Sequence, residues 1–230
     1  MSVFRERRFE CPSCGHVNAE SVAASLHGPR VPEVVDAILA GTFQVFACTR
    51  CGLSYRADGP VIYTDFDDKH WIGEFPAADE AAWTALEQHA TDSFRRAMID
   101  YAPAFLRADA AGFTIRTVFG LPALAEKILL LQNRWDDRVV EAVKLRLVLE
   151  SGTVLHPAHR PVVIEADAGR LTVVLPDDVG AAVVTRADAD ALAADPAWRE
   201  VLALLARGPY VDIGRLMLEG RATSDYAAAS

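Results

Sequence analysis

All 4 cysteines of the 230-residue chain fall in two matched turns, Cys11-Pro12-Ser13-Cys14-Gly15 and Cys48-Thr49-Arg50-Cys51-Gly52. A C-x-x-C turn brings two side chains together, so each turn presents a pair of thiolates to one ion, and two turns supply four sulfurs. Four thiolates at tetrahedral corners suit zinc, whose filled d shell imposes no geometry of its own and whose Zn–S distance is ~2.3 Å. The glycine after each second cysteine allows a positive φ, which turns backbone amides back towards the sulfurs. The expected ligands are therefore Cys11, Cys14, Cys48 and Cys51. The expected cofactor is a structural Zn2+, because four protein ligands leave no position open for water or substrate.

Disulfides, an iron–sulfur centre and a thioredoxin-like redox pair are the competing uses of such cysteines. Disulfides need an oxidising compartment, and no apolar run of a secretory signal follows Arg5, Arg7 and Arg8. A redox C-x-x-C occurs once per site in a βαβ setting, whereas here the motif is repeated. Iron stays as the alternative metal.

Three further groups carry chemistry-bearing side chains. Asp65, Asp67, Asp68 and His70 place three carboxylates and an imidazole close together, a set able to hold a hard cation or act in acid/base catalysis. No calcium-loop spacing accompanies them, and a solvated acidic turn between strands accounts for them more simply. His156 and His159 lie three apart in His156-Pro157-Ala158-His159-Arg160-Pro161, but the prolines forbid the regular helix that would put both on one face. Asp136, Asp137 and Arg138 read as a helix start. There is no G-x-S-x-G, H-E-x-x-H, Walker loop or G-x-G-x-x-G, so no catalytic residues are expected.

Composition narrows the field. With 51% hydrophobic residues the chain is that of a folded globular protein. Its formal charge of −9, from 23 basic and 32 acidic residues, repels a polyanion unless a local basic stripe overcomes the field. The densest basic cluster, Arg5, Arg7 and Arg8, is interrupted by Glu6. No apolar run is long enough to span a bilayer, so the expectation is a soluble, cytoplasmic protein without membrane or nucleic-acid partners.

Short strands are expected at Phe9 to Cys11, Val17 to Ser25, Phe43 to Cys48, Leu53 to Arg56, Val61 to Phe66 and Trp71 to Phe75. The 33 residues between the knuckles carry a helix, with Pro32 in its first turn, Val35, Ile38 and Leu39 on one face and Gly41 as its stop. These features, with the Phe-Ala-Cys-Thr-Arg-Cys-Gly return and the run from Pro60-Val61-Ile62-Tyr63-Thr64-Asp65 through Trp71-Ile72, resemble the CpXC domain family over roughly Phe9 to Pro76. The second knuckle departs from the family motif, with Thr49 where that motif has proline. The resemblance implies a zinc-ribbon-like module and brings no catalytic residues with it.

Beyond Pro76 the periodicity turns helical. Trp83, Leu86, Ala90, Phe94, Ala97, Tyr101 and Phe105 form one stripe, kinked or ended near Pro103. A strand is expected at Phe113 to Phe119, and helices at Leu121 to Gln132 and from Asp136 or Asp137 through Leu149. The runs Val162 to Ala166 and Leu171 to Leu175, joined by Asp167-Ala168-Gly169, predict a hairpin with a third strand at Ala182 to Thr185. Helices at Asp195 to Ala206 and Asp212 to Leu218 close the pattern, and Arg221 to Ser230 reads as disordered.

The sequence thus predicts an α+β protein of three parts. Residues 1–76 form a CpXC-like zinc ribbon with a helix between its knuckles, 77–220 a helical region with a C-terminal β-hairpin, and 221–230 a tail. The expected role is a non-enzymatic interaction or scaffold module that binds a protein partner or itself. One alternative is an enzyme with a cleft between ribbon and helical region, using Asp65, Asp67, Asp68 and His70. The other is a nucleic-acid-binding ribbon, by analogy with other zinc ribbons.

Overall fold

A computed structural model of the chain describes residues 2–156, 159–177 and 179–220; the expected tail, 221–230, lies outside the described residues. The fold is mixed α+β, with eight α-helices and three sheets among these residues. It divides into two compact units, Met1–Ala125 and Glu126–Ser230.

The first unit opens with β1 (Val3–Glu10) and β2 (Val17–His27), an antiparallel pair whose tip is the first cysteine turn. β1 is longer than expected and exposed along its length except for half-buried Phe9. Helix α1 (Pro32–Leu39) starts on proline, whose missing N–H costs nothing in a first turn, and buries Val35 and Ile38. The short strands β3 (Val45–Ala47) and β4 (Ser54–Arg56) pair antiparallel around the second cysteine turn. Then β5 (Val61–Asp65) and β6 (His70–Phe75) form a hairpin.

The main sheet has the order β1-β2-β5-β6-β7, where β7 is Thr114–Phe119. Its β2–β5 and β6–β7 pairings are parallel, which requires a crossover between the paired strands. Helix α1 and the second cysteine turn with its two short strands make the first crossover, and the helices after β6 make the second. The sheet therefore runs past Pro76, where the sequence pattern placed the end of the first domain, because β6 takes its second hydrogen-bonded neighbour from Thr114–Phe119.

The expected long helix is broken. It consists of α2 (Trp83–Arg95), a π-helical turn at Arg96–Asp100 and, after Pro103, α3 (Ala104–Asp109). Pro103 donates no N–H, so the ladder stops before it. Ala90, Phe94 and Met98 are buried, and Trp71 meets Phe94 edge-on at 5.4 Å between ring centroids. A side chain at Gly73 would come within 3.0 Å of Ala90, so glycine lets α2 lie close on the sheet. Tyr101 and Phe105, expected on the same stripe, are instead 83% and 71% exposed.

Helix α4 (Leu121–Gln132) spans the boundary between the units. The second unit continues with α5 (Asp137–Ser151), capped by the Asp136 side chain on Arg138 N. The predicted hairpin is a three-stranded antiparallel sheet of β8 (Val162–Ala166), β9 (Arg170–Leu175) and β10 (Gly180–Thr185). Its turn is held by Asp167, whose Oδ1 accepts from the amides of Gly169 at 2.7 Å and Arg170 at 2.9 Å. Helix α6 (Arg186–Ala194), absent from the sequence reading, starts with a reciprocal cap between Thr185 and Asp188. Helices α7 (Arg199–Leu205) and α8 (Ile213–Leu218) complete the unit. Its core gathers Trp135, Val140, Leu145, Val173, Trp198 and Leu205, among others.

Charges are buried beneath this apolar core. Lys144, 3% exposed, bonds Glu126 and, at 2.8 Å, Glu141. Glu126 also accepts from Val163 N and Glu141 from Ile213 N, so one ammonium organises α4, α5, β8 and α8 together. Lys127 bonds Asp137 at 2.9 Å and the Val211 carbonyl at 3.0 Å. Removing one member of such a buried set leaves an uncompensated charge, typically worth about 3–5 kcal/mol. Lys144→Met is expected to lower unfolding stability by about that amount in a urea titration, whereas Arg138→Ala, in the exposed pair with Asp136, costs under about 1 kcal/mol. A loss at Lys144 no larger than that at Arg138 would remove this network from the fold's determinants.

Glu74 on β6 is 2% exposed, and its Oε2 has no hydrogen-bond partner among the described residues. Burial, then the Asp58 carboxylate, push its pKa from 4.5 up to about 8, against a lowering bond from the Val61 amide. With the folded-state value raised, the neutral form is kept at no cost below pH 4.5, and the stability it represents is lost as pH climbs through 8. Glu74→Gln should therefore gain stability relative to wild type as pH rises between 4.5 and 8, and level off above it at an advantage on the order of 5 kcal/mol. Parallel melting curves of the two proteins from pH 4.5 to 9 would contradict this.

Candidate metal centre

The two cysteine turns are built alike. In the first, Cys11 N donates to His16 O at 2.8 Å and Gly15 N to Cys11 O at 3.0 Å. In the second, Cys48 N donates to Leu53 O at 2.8 Å and Gly52 N to Cys48 O at 2.8 Å. Gly15 and Gly52 occupy the left-handed region at φ 68° and 74°, where a side chain would add strain. Each turn thus closes its own hairpin, β1–β2 or β3–β4, and points two sulfurs outward from the tip.

The tips meet. Cys11 Sγ lies 3.7 Å from Cys51 Sγ and Cys14 Sγ 3.7 Å from Cys48 Sγ, and all four sulfurs fall within 4.8 Å of one another. Zn–S bonds of ~2.3 Å place tetrahedral corners about 3.8 Å apart, so the spacing fits one ion of that size at the centre. The cysteines are not joined as disulfides. Cys11 and Cys48 are 2% and 3% exposed, Cys14 is half-buried and Cys51 is exposed. Around them pack Tyr55, Phe9 and Phe46.

Two of the four thiols are pushed in opposite directions. Burial raises the Cys48 pKa, but the amides of Cys51 and Arg50, the Asn18 side chain and Cys11 outweigh it and hold the thiol at about 6. At Cys14 the His16 amide pulls the pKa down, yet burial and the sulfurs of Cys51, Cys48 and Cys11 push it up to about 12. The Cys48 sulfur thus favours the charged form and the Cys14 sulfur the protonated one. A divalent ion would displace those protons, which makes uptake by such a cage pH-dependent.

Three contacts from β2 hold the second hairpin against the first. Asn18, 3% exposed, donates from Nδ2 to His16 O at 3.2 Å and to Cys48 Sγ at 3.7 Å. Its Oδ1 accepts from Thr49 N at 3.0 Å and from Thr49 Oγ1 at 2.8 Å. Glu20 accepts from Tyr55 OH at 2.8 Å. Gln44, buried with φ 54°, accepts from Ala23 N at 2.8 Å and donates to Ala57 O at 3.0 Å. Proline at position 49 could supply neither of the bonds that Thr49 gives Asn18.

This pair of knuckles, with the helix and strands between and after them, matches one family model, described as CpXC protein, over residues 9–144. The chain belongs to the CpXC family. The match covers the first unit from Phe9 onward and reaches about halfway along α5 in the second, well beyond the stretch to Pro76 that the motifs alone marked. No curated protein and no solved structure matches this CpXC chain.

The other candidates of the CpXC chain do other work. Asp65 is 9% exposed and accepts from the amides of Asp67 and Asp68 at 3.0 Å each, so it shapes the β5–β6 turn. His70 pairs with Asp65 across the hairpin. The His156 and His159 rings lie 5.5 Å apart, with His159 Nδ1 3.6 Å from Asp177 Oδ1. Among the described residues only the four cysteines bring three or more ligand atoms within reach of one ion. Asn18 and Glu20 lie on β2, where alternation alone marks a polar residue as solvent-facing, and Gln44 lies in the turn before β3, so none of the three leaves a spaced trace in the sequence.

Outer contacts of this kind typically change metal affinity by roughly 10–100-fold. Asn18→Ala is expected to weaken metal retention within that range in a chelator competition, and Thr49→Pro to weaken it in the same direction, while Thr49→Ser stays near wild type. Equal retention by all three proteins would show that Asn18 does not order the second knuckle.

Proposed function

We propose that Cys11, Cys14, Cys48 and Cys51 bind one structural Zn2+, that the two hairpins around it form a zinc ribbon carrying α1 as its insert, and that the protein serves as a non-enzymatic interaction or scaffold module. The observation that carries this is the sulfur spacing of 3.7 Å across the hairpins, set against the tetrahedral edge of about 3.8 Å. Four thiolates around zinc form a closed shell, which supplies folding free energy and no open coordination site. β3 and β4 have three residues each, so the second hairpin has little core of its own and depends on the ion.

The four reduced thiols suit a reducing compartment, and the proposal places the protein in the cytoplasm. None of the described helices is long and apolar enough to cross a membrane. The docking role draws support from apolar side chains left in solvent, with Tyr101 and Phe105 in the first unit and Ile164 and Val183 on the outer face of the three-stranded sheet in the second. The proposal includes self-association or a protein partner and excludes nucleic acid, which the net charge of −9 disfavours.

Elemental analysis of protein purified under reducing conditions is expected to find close to one zinc per chain. Cys11→Ser should lose it and melt at lower temperature, since structural zinc contributes on the order of 10 kcal/mol to such modules. Metal-free wild type with an unchanged melting curve would end the zinc reading. Light scattering tests the scaffold role separately: association that Tyr101→Ser or Val183→Ser weakens supports it, and a strict monomer at high concentration argues against self-association.

A further inference from the structure

The four sulfurs lie together, all within 4.8 Å of one another, but differ in access. Cys11 and Cys48 are sealed at 2% and 3% exposure, Cys48 also accepting a bond from Asn18, while Cys14 is half-buried and Cys51 stands exposed at the tip of β3–β4. Attack on a cysteine by a solvent-borne reagent follows access as well as thiolate character. The sulfur within reach of Cys51 is not only its own turn's Cys48: Cys11, from the other hairpin, lies 3.7 Å away, and the remaining pair, Cys14 and Cys48, is matched across the hairpins at the same 3.7 Å.

We propose that Cys51 is the entry point for oxidation of this cage by a hydroperoxide, and that oxidation converts the four-sulfur site into two disulfides across the hairpins, Cys11–Cys51 and Cys14–Cys48. The entry point rests on access and the pairing on sulfur positions; only the release of an ion rests on the metal reading. The Cys51 thiolate attacks the outer oxygen of peroxide, the O–O bond breaks, and the products are a sulfenic acid and hydroxide. The Cys11 thiolate then attacks the Cys51 sulfur, the S–O bond breaks, and hydroxide leaves as the Cys11–Cys51 bond forms. Two sulfurs have lost one electron each, and the two oxygens of one peroxide have gained them. With two ligands gone, a bound ion would be released, and a second peroxide joins Cys14 and Cys48 by the same steps.

The outcome differs physically from oxidation within each turn. Cross-hairpin bonds keep the β1–β2 and β3–β4 tips tied when the ion is gone, so a covalent clasp replaces an ionic one and the fold persists. Bonds within each C-x-x-C turn would release the tips from one another. Closing a pair from 3.7 Å to a disulfide length of about 2.05 Å needs an approach of under 2 Å, shared between two hairpin tips.

The test uses the full-length protein with two separate readouts. Metal content is measured first, and zinc release under hydrogen peroxide is followed with a metallochromic indicator while free thiols are counted. Disulfide-linked peptides are then mapped by mass spectrometry, on metal-loaded and on chelator-treated protein. The expected result is one zinc released per chain, loss of all four thiols at two equivalents of peroxide, and cross-hairpin peptides in both samples. A limiting pulse of N-ethylmaleimide should mark Cys51 about tenfold ahead of Cys11 and Cys48. Peptides linking Cys11 to Cys14 and Cys48 to Cys51, sulfinic acid at Cys51 in place of a disulfide, or first labelling of a buried cysteine would each overturn the inference. Absence of zinc at the outset would overturn the metal reading alone, because the peptide map still decides the pairing.

Discussion

A hairpin too small to hold itself together, β3–β4, meets the tip of β1–β2 at four sulfurs, and the first unit is arranged around that meeting. β3–β4 pairs three residues with three and is remote in sequence from the turn it faces. What draws it in is the cage at its tip, with Asn18, Glu20 and Gln44 fixing its side and base to β2. The segment between β2 and β5 then serves two purposes: it carries the second knuckle and α1, and it completes the connection that a parallel β2–β5 pairing demands.

The second unit solves the equivalent problem with charge. Lys144 and Lys127 sit on helices that are otherwise apolar towards the core, and their carboxylate partners come from α4 and α5. Buried ion pairs are weak contributors to net stability when measured against apolar replacements, but they are exacting about geometry, because a misplaced partner is left unpaired in a low-dielectric interior. Glu126 and Glu141 each divide their two oxygens between the Lys144 ammonium and a backbone amide, of β8 and α8 respectively. That arrangement specifies where those elements start relative to α5, which an apolar contact of the same area would leave looser.

What could be read in advance follows from which interactions leave a periodic or spaced trace. The knuckles did, through identical C-x-x-C-G spacing, and so did most strands, through alternation, with the hairpin turn at Asp167 marked by its own residue types. The parallel pairings did not, because nothing in Val61–Asp65 distinguishes an antiparallel neighbour from a parallel one until the crossover is known. Helix α6 has only Ala189 and Leu192 buried, too few for a clear stripe, although Thr185 and Asp188 at cap spacing were a legible start signal. Lys127, Glu141 and Lys144 ran against the reading, since a charged residue in a helix is normally assigned to the solvent side.

Thr49 shows how a departure from a family motif is absorbed. In the first turn Pro12 presets one backbone angle and needs no donor. In the second, threonine gives up that stiffness but gains two donors, and both are used by a buried Asn18 that also touches Cys48. The stiffness lost within the turn is replaced by anchoring from outside it, so the constraint has moved from the knuckle's own backbone to its contact with the other hairpin. The two knuckles are equal as sources of sulfur and unequal in how they are held. Asn18 joins the strand leaving the first turn to the residue that follows Cys48 in the second, so the ordering of one knuckle depends on the presence of the other.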